Sequence, residues 1–229
     1  MCGRFARKRS ASIMAKDFGV QEITDELEPS FNIAPTHEVA VVVNKGSKQL
    51  VGMRWGLVPY WATDPTIGAR LINARAETLT SKHAFKEAFK RRRCLVLADG
   101  FFEWQTEGTI KIPLFIYLKS GMSFGFAGLY ETWSPPLGEK LITCTIITTG
   151  PNELVRPVHD RMPVILPKGV EDLWLDPTIE DHTRLLDLLQ PYPDEEMAAH
   201  TVSKLVNSVK NDSPECIEPV AVMGQPTLF

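Results

Sequence analysis

The sequence lacks any apolar run that approaches the roughly 20 residues needed to cross a lipid bilayer. Its first ten residues carry four basic side chains, and no apolar stretch of the kind found in a secretion signal follows them. These absences argue against a secreted or membrane-spanning protein. We therefore expect a cytoplasmic protein without membrane contacts.

Cysteine is scarce, and its placement excludes the common cysteine-based sites. The four cysteines lie far apart, without a C-x-x-C pair and without a histidine spaced to complete a zinc site. We expect free thiols, with Cys94 and Cys144 buried inside apolar runs. The sequence suggests no metal ion and no organic cofactor.

Extremes of composition are also absent. Of the 229 residues, 44% are hydrophobic and 23% are charged, which excludes global disorder, a collagen-like repeat and a pure coiled coil. No internal repeat, low-complexity tract or long linker interrupts the chain. We expect residues 1–229 to form a single domain, with 223–229 as a flexible tail.

Positive charge is not in overall excess, but it is unevenly distributed. The net charge is −3, yet residues 1–93 contain 16 Lys and Arg against 9 Asp and Glu, whereas residues 94–229 contain 9 against 19. A basic groove on a mildly acidic protein suits a short stretch of backbone phosphates better than a long duplex footprint. Charges scattered over a solvated surface by folding would explain the same counts.

Helices are predicted near both ends and in the middle of the chain. Residues 10–18 have a helical pattern that Gly19 ends. Residues 81–93 form an amphipathic pattern with Ser81 as a candidate cap and cations at the far end. Two further helices are predicted over 170–175 and 183–189.

Strands dominate the rest of the prediction. Apolar β-branched runs at 38–44 and 49–55 flank a glycine-containing turn, which is typical of a β-hairpin. Five consecutive β-type runs without helices between them favour antiparallel pairing over a Rossmann-type alternation; they are 94–98, 101–105, 113–118, 124–130 and 141–149. The predicted fold class is α+β, with a curved, barrel-like, mostly antiparallel sheet flanked by helices.

Cys2 is the first candidate for chemistry. A small side chain at position 2 generally permits removal of Met1, which would leave Cys2 with a free α-amine and a thiol on adjacent carbons. The amine titrates near pH ~7.7 to 8.0 and an unperturbed thiol near ~8.5, so both nucleophiles are partly available at neutral pH. Such an aminothiol can attack an amide or condense with an aldehyde to form a thiazolidine ring.

A second cluster lies at residues 71–78. An amide, a guanidinium and a carboxylate occupy alternate positions at Asn73, Arg75 and Glu77, and an extended segment would present all three on one face. Asn73 can orient a carbonyl, and Arg75 can clamp a phosphate. A solvent-facing edge strand would have the same pattern.

Two further clusters contain groups able to transfer protons. Glu103 stands between aromatic neighbours, and a desolvated glutamate can act as a general acid or base near neutrality; alternation would place it on the same side as Phe101. His159 is followed by Asp160 and Arg161 just before a short apolar strand, and histidine is a natural proton shuttle. A surface carboxylate and a structural histidine are the alternatives.

Flat apolar side chains in loop-like contexts could stack on exposed nucleobases, at ~1 to 3 kcal/mol for each base. Trp61, followed by polar residues, is the better stacking candidate, and Pro35 offers a second flat surface. Trp55 fits core packing.

Taken together and in order, six motifs resemble the SRAP (SOS response-associated peptidase) family. They span nearly the whole chain and read M-C-G-R-F, F-N-I-A-P, R-W-G-L-V-P-Y-W, I-N-A-R-A-E-T, D-G-F-F-E-W and H-D-R-M-P. The family includes bacterial abasic-site processing proteins and eukaryotic relatives that shield abasic sites in single-stranded DNA. The resemblance implies an α+β domain with a barrel-like sheet and a basic groove for single-stranded DNA that ends at the N-terminal cysteine.

The resemblance also implies roles for individual residues. Cys2 would capture the ring-opened aldehyde of an abasic sugar as a thiazolidine crosslink, a lyase-like activity. Asn73 would hold the sugar or the Cys2 backbone, and His159 would assist at the sugar hydroxyl or imine. Glu103 would move protons and take part in autocatalytic removal of Met1. Flanking DNA would contact basic and stacking side chains, namely Arg4, Arg75, Arg161, Trp61 and Pro35.

Two other classes remain open, with different expectations. An N-terminal-nucleophile amidohydrolase would hydrolyse glutamine or a related amide without DNA. A plain single-stranded DNA-binding module would be indifferent to an abasic lesion and to loss of Cys2. In every case we expect a monomer, and the basic run at residues 90–93 has no assigned role.

Overall fold

The computed structural model describes residues 2–135 and 138–220, in which fourteen strands and four α-helices are defined. The strands are β1 (Phe5–Arg7), β2 (Glu22–Ile23), β3 (Ser30–Ile33), β4 (Glu38–Asn44), β5 (Lys48–Trp55), β6 (Asn73–Arg75), β7 (Arg93–Ala98), β8 (Gly100–Glu107), β9 (Ile110–Leu118), β10 (Phe124–Trp133), β11 (Leu141–Thr149), β12 (Met162–Pro163), β13 (Ile165–Leu166) and β14 (Met197–Thr201). The α-helices are α1 (Ala11–Asp17), α2 (Lys86–Arg91), α3 (Glu171–Leu175) and α4 (His182–Asp187). Short 3-10 helices occupy Pro65–Arg70, Ala76–Thr78, Asp194–Glu196, Lys204–Asn207 and Pro214–Cys216.

A closed ring of five strands lies at the centre of the fold. Its strands pair in the order β11-β10-β7-β4-β5, and β5 then pairs in parallel with β11 to close the ring. Most other pairings are antiparallel, as in the β4–β5 hairpin, where Val41 faces Val51. The predicted barrel-like, mostly antiparallel sheet is therefore confirmed.

A five-stranded sheet carries the N-terminus beside this ring. Its order is β14-β9-β8-β1-β3, so the strand that follows Cys2 lies between β8 and β3. The β1–β8 register pairs Phe5 with Phe101 and Ala6 with Gly100. Because the pairing is antiparallel, it brings the residues after Phe101 alongside the residues before Phe5.

Alternation along the strands divides the core into clusters. In β4, Val39, Val41 and Val43 belong to a cluster shared by the ring and the five-stranded sheet. The intervening Ala40 and Val42 belong to a cluster that packs the other face of the ring against all four α-helices. A third cluster covers the outer face of the five-stranded sheet with residues of the C-terminal segment, among them Val202, Val206 and Cys216.

The predicted hairpin, the five consecutive strands and three of the four helices are confirmed, with boundaries shifted by a few residues. Gly19 follows α1 with a φ of +63°, a left-handed conformation that glycine adopts without strain, so it ends this helix as predicted. Phe101 lies in the cluster that contains Cys2, whereas Phe102 lies in the third cluster with Trp104 packed against it. The predicted alternation in β8 is thus confirmed.

The helix predicted over 81–93 is shorter than expected, because α2 covers only Lys86–Arg91. The chain passes through turns first, with the Lys82 amide donating to Thr78 O over 2.9 Å. Ser81 is not the cap, since its hydroxyl donates back to Thr78 O over 3.3 Å. Arg93 already belongs to β7, and its buried guanidinium donates to the carbonyls of Phe89 and Lys90 at the end of α2.

The tail predicted at 223–229 lies outside the described residues. None of the helices within residues 2–135 and 138–220 has the length and apolar character that a bilayer crossing requires.

Candidate active site

The backbone of Cys2 is held by Asn73. The Asn73 side-chain amide donates to the carbonyl oxygen of Cys2 over 2.8 Å. Parallel pairing with β11, in which Asn73 faces Ile146, fixes the strand that presents this amide. The Asn73 side-chain oxygen is buried and has no hydrogen-bond partner within the described residues. A buried acceptor beside Cys2 is therefore open to a hydroxyl or amine donor.

Glu103 is a buried carboxyl group next to the same segment. It is 5% exposed and lies on β8, one residue beyond Phe102, whose amide donates to the carbonyl of Arg4 over 2.9 Å. Burial raises the pKa of Glu103 to about 7, and the carboxylate of Asp160 acts in the same direction. At neutral pH both protonation states are populated, which suits a group that transfers protons.

The thiol of Cys2 is fully buried in the chain that still carries Met1. Burial raises its pKa well above the ordinary value, and the nearby Glu103 carboxylate raises it further. In this form of the chain the thiol is therefore not partly ionised at neutral pH, whereas the sequence-based expectation concerned an unperturbed thiol after removal of Met1. The reason is physical: removing a thiolate from water penalises its charge.

His159 is half-buried, and its Nδ1 atom lies near both a hydrogen-bond donor and a carboxylate. The Arg161 amide donates to Nδ1 over 3.0 Å, and the Asp160 carboxylate lies 2.8 Å from the same atom. Only a protonated Nδ1 could donate to Asp160, so the two contacts belong to different protonation states. Burial lowers the pKa of His159, which favours the neutral ring. In the tautomer that accepts from the Arg161 amide at Nδ1, the proton lies on Nε2.

Glu103 and His159 line one open cavity of about 460 Å³, together with Trp104, Lys111 and Asn207. The Trp104 indole donates to the side-chain oxygen of Asn207 over 2.8 Å, which joins β8 to the C-terminal segment. Sequence reasoning missed Lys111 and Asn207, because neither lies in a motif. Only the fold places them beside Glu103.

Asn73, Arg75 and Glu77 do not share one strand face as predicted. Strand β6 ends at Arg75, and a 3-10 helix at Ala76–Thr78 carries Glu77 away from the strand. Glu77 instead accepts two hydrogen bonds from the guanidinium of Arg161, over 2.7 and 3.0 Å. This bidentate pair lowers the pKa of Glu77 through the hydrogen bond from Arg161, while Arg75 remains exposed.

Arg4 is drawn into an internal network that the sequence did not predict. Its guanidinium donates to the side-chain oxygen of Asn32 over 2.7 Å and to the carbonyl of Val206 over 2.6 Å. The amide of the fully buried Asn32 in turn donates to the carbonyls of Val206, Ser208 and Asn211. A lone amide between Phe31 and Ile33 in an apolar strand was the available signal.

The stacking candidates lie on loops next to these strands. Trp61 is 41% exposed, and its ring lies 4.9 Å from that of His83. Pro35 is half-buried and precedes Thr36, whose φ of +76° is unusual for a β-branched residue. The Thr36 amide donates to the carbonyl of Trp55 over 2.8 Å.

In residues 2–135 and 138–220, no set of three or more histidine, cysteine, aspartate or glutamate side chains is close enough to hold a metal ion.

Most of this chain is similar to proteins of known family. The family model described as SOS response associated peptidase (SRAP) matches residues 1–209. The abasic site processing protein YoqW of Bacillus subtilis is 48% identical over 95% of this chain and 99% of its own length. The abasic site processing protein HMCES of Gallus gallus is 37% identical over 84% of this chain and 66% of its own length.

The fold has close structural counterparts as well. A crystal structure of a protein from Bacteroides thetaiotaomicron superposes with a TM-score of 0.89 at 28% identity, covering 96% of this chain and all of the other. A protein from Bordetella bronchiseptica superposes with a TM-score of 0.76 at 24% identity, covering 88% of this chain and all of the other. The match to the family model over most of the chain, together with the relatives' identity, assigns this chain to the SRAP family.

Proposed function

We propose that this protein processes abasic sites in DNA by capturing them covalently in single-stranded DNA. One observation carries the proposal. Cys2, the residue after Met1, has its carbonyl held by Asn73 and lies beside Glu103, whose pKa of about 7 allows proton transfer at neutral pH. The names of the relatives from Bacillus subtilis and Gallus gallus support the substrate class.

The chemistry follows from the neighbouring amine and thiol of a mature Cys2. The amine attacks C1′ of the ring-opened abasic sugar, and the protonated form of Glu103 gives a proton to the resulting hydroxyl, which leaves as water and gives a protonated imine. The sulfur then bonds to the same carbon, its proton passes to a base, and the nitrogen keeps one hydrogen. The product is a five-membered thiazolidine, and Glu103 is the group that moves these protons.

Removal of Met1 must come first, because the nitrogen of Cys2 is an amide as long as Met1 is attached. Water cleaves that peptide bond, releasing methionine and the α-amine. We assign activation of this water to the ionised form of Glu103. The same cleavage removes the residue that precedes the buried thiol, and its removal gives the lesion access to Cys2.

The remaining groups position the lesion and its strand. The neutral ring of His159 offers a proton on Nε2 to the sugar hydroxyl or the developing imine. Exposed Arg75 suits a flanking phosphate, and Arg161 can bind a second phosphate while it stays bound to Glu77. Trp61 and Pro35 offer surfaces for neighbouring bases. The guanidinium of Arg4 can contact DNA only through those of its N–H groups that do not already donate to Asn32.

The decisive test is an adduct assay with the mature protein and an abasic single-stranded oligonucleotide. A denaturation-resistant adduct should form with the wild type and disappear with Cys2→Ala. Cys2→Ser should give at most a weaker, reversible adduct, because oxygen closes the ring less favourably than sulfur. Cys216→Ser, which changes another buried thiol, is the matched control and should retain the adduct.

Other outcomes would favour the two other classes. An adduct that persists in Cys2→Ala would reject the mechanism. Hydrolysis of glutamine without DNA would indicate an amidohydrolase, and salt-sensitive binding that ignores both the lesion and Cys2 would indicate a simple binding module.

Intact mass spectrometry tests the role of Glu103 in maturation. In cells that lack other methionine aminopeptidase activity, wild-type protein should lose Met1 and Glu103→Gln should retain it. A chain that keeps Met1 should form no adduct. Complete processing of Glu103→Gln in such cells would remove Glu103 from this step.

A further inference from the structure

A stretch of exposed positive charge leads away from the site along the chain. Residues 73–92 contain six Lys and Arg but only two carboxylates. Both carboxylates are already paired, Glu77 with Arg161 and Glu87 with Lys90. The segment therefore has unbalanced positive charge along its length.

The basic run at residues 90–93, which had no assigned role, is divided by the fold. Arg93 is buried and donates to the carbonyls of Phe89 and Lys90, and Arg92 forms an ion pair with Glu131 over 2.8 Å. Lys90 and Arg91 stay exposed. The inner two arginines therefore fix the end of α2, and the outer two cations face solvent.

The outward side of this segment forms what we call the α2 basic face, made of Lys82, Lys86, Lys90 and Arg91. Lys86 and Lys90 are four residues apart and so lie on one side of the helix, while Ala88 and Phe89 are buried beneath them. Within residues 2–135 and 138–220, Lys82, Lys86 and Arg91 make no ion pair. Fixed cations without internal partners form a surface that attracts anions.

The two ends of the face indicate what kind of anion it takes. At the near end, His83 contacts the ring of Trp61, which is our candidate for base stacking. At the far end, Lys90, Arg91 and His182 line an open cavity of about 480 Å³. Glu180 also lines this cavity and limits how far the positive potential extends.

We propose that the α2 basic face binds the backbone phosphates of DNA that flanks the lesion, continuing the strand path beyond Trp61. The inference rests on the proposed function for its ligand, since the lesion-bearing strand is what delivers flanking DNA to this surface. Single-stranded and duplex flanks present the same phosphates. The face therefore determines how much DNA on one side of the lesion contributes to affinity.

The test compares short and long DNA with the triple variant Lys86→Ala/Lys90→Ala/Arg91→Ala. Reversible binding is measured by anisotropy on oligonucleotides that carry a non-reactive abasic analogue, either as a short strand of about five nucleotides or with a single-stranded or duplex flank on either side. The matched control is Lys16→Ala/Lys45→Ala/Lys140→Ala, which removes three exposed lysines elsewhere.

We expect the triple variant to bind the short strand like the wild type and to lose at least ~10-fold in affinity on one flanked substrate. On that substrate the slope of log affinity against log salt should fall by about 2 for a single strand, at about 0.7 for each phosphate that the variant no longer neutralises. The substrate on which affinity falls identifies the flank.

Three results would overturn the proposal: unchanged affinity on every flanked substrate, an equal loss on short and long DNA, or an equal loss in the control variant. Failure of the proposed function is recognised separately, because wild-type protein would then form no Cys2-dependent adduct on any reactive abasic strand, whatever the α2 variants do.

Discussion

Glu103 and Glu77 are two glutamates of the site motifs that occupy opposite environments. Glu103 is buried, and burial raises its pKa to about 7. Glu77 is largely exposed, and its bidentate contact with Arg161 lowers its pKa. The same type of side chain thus has a raised pKa on the buried side of the site and a lowered pKa on the exposed side.

The difference extends to the neighbouring groups. On the buried side, Cys2, Asn32 and Glu103 have little contact with water, so every polar group there depends on partners within the protein. On the exposed side, Arg75 and Asp160 are solvated. Substitutions should therefore be costly on the buried side and mild on the exposed side.

The largest loss is expected for Asn32→Ala. It removes one of the two acceptors of Arg4 and the amide that donates to the carbonyls of Val206, Ser208 and Asn211, of which Val206 keeps its bond from Arg4. Buried groups left without partners should lower the free energy of unfolding by about 3 to 5 kcal/mol. Urea denaturation measures the change, with Asn207→Ala as a less buried control.

An Asn32→Ala protein that unfolds at the wild-type urea concentration would mean that water replaces the lost amide. In that case Arg4 and the C-terminal segment would not depend on Asn32, and the contrast between the two sides would be weaker than the burial suggests.

The next largest effect is expected for Glu103→Gln. Here the difference in stability between the variant and the wild type should change with pH. Because folding raises the pKa of Glu103 from 4.5 to about 7, the native state binds more protons than the unfolded chain between these values. Stability from this group is fully present below pH 4.5 and is lost as pH rises through 7. The loss corresponds to about 3 kcal/mol.

The amide in Glu103→Gln does not titrate, so this variant should gain stability relative to the wild type as pH rises from 4.5 to 7.5. Urea denaturation across that range measures the difference between the two proteins. A constant difference would mean that Glu103 ionises in the folded protein as it does in the unfolded chain.

The smallest effect is expected for Glu77→Gln on the exposed side. Solvent screens the ion pair with Arg161, so its loss should lower the free energy of unfolding by at most about 1 kcal/mol at neutral pH. The sign of the pH dependence is reversed: a carboxyl with a lowered pKa stabilises above its unfolded pKa and loses this contribution as pH falls. Thermal unfolding of the wild type and Glu77→Gln at pH 7 and pH 3.5 measures this pH dependence, and the difference between the two proteins should be smaller at pH 3.5. A loss of stability larger than that of Asn32→Ala would mean that the exposed side contributes more than the buried side.

Local patterns in the sequence were sufficient for most elements. Apolar alternation predicted the β4–β5 hairpin and the five consecutive strands, because each of these strands has its own periodic core face. The helix at 81–93 was too long, since periodicity cannot distinguish a buried turn at Phe85 from a helical one. Glu77 was misplaced for a related reason: alternation assumes an extended chain, and the chain turns after Arg75.

Contacts between distant segments were the part that local patterns did not contain. Asn73 was expected near the Cys2 backbone only because of the family resemblance, and its hydrogen bond depends on the pairing of β6 with β11. Lys111 and Asn207 become visible only when β9 and the C-terminal segment come together, and the partners of Asn32 only when β3 meets that segment. Their roles follow from three-dimensional neighbours rather than from spacing.

The hydrogen bond between Arg4 and Val206 joins residues 202 positions apart. During synthesis the first residues leave the ribosome long before Val206 does, so this bond cannot form until Val206 has also been synthesised and has emerged. A chain that ends before Val206 therefore lacks this contact to the residue that precedes its first strand. The arrangement delays complete assembly around Arg4, two residues after Cys2, until the segment that contains Val206 exists.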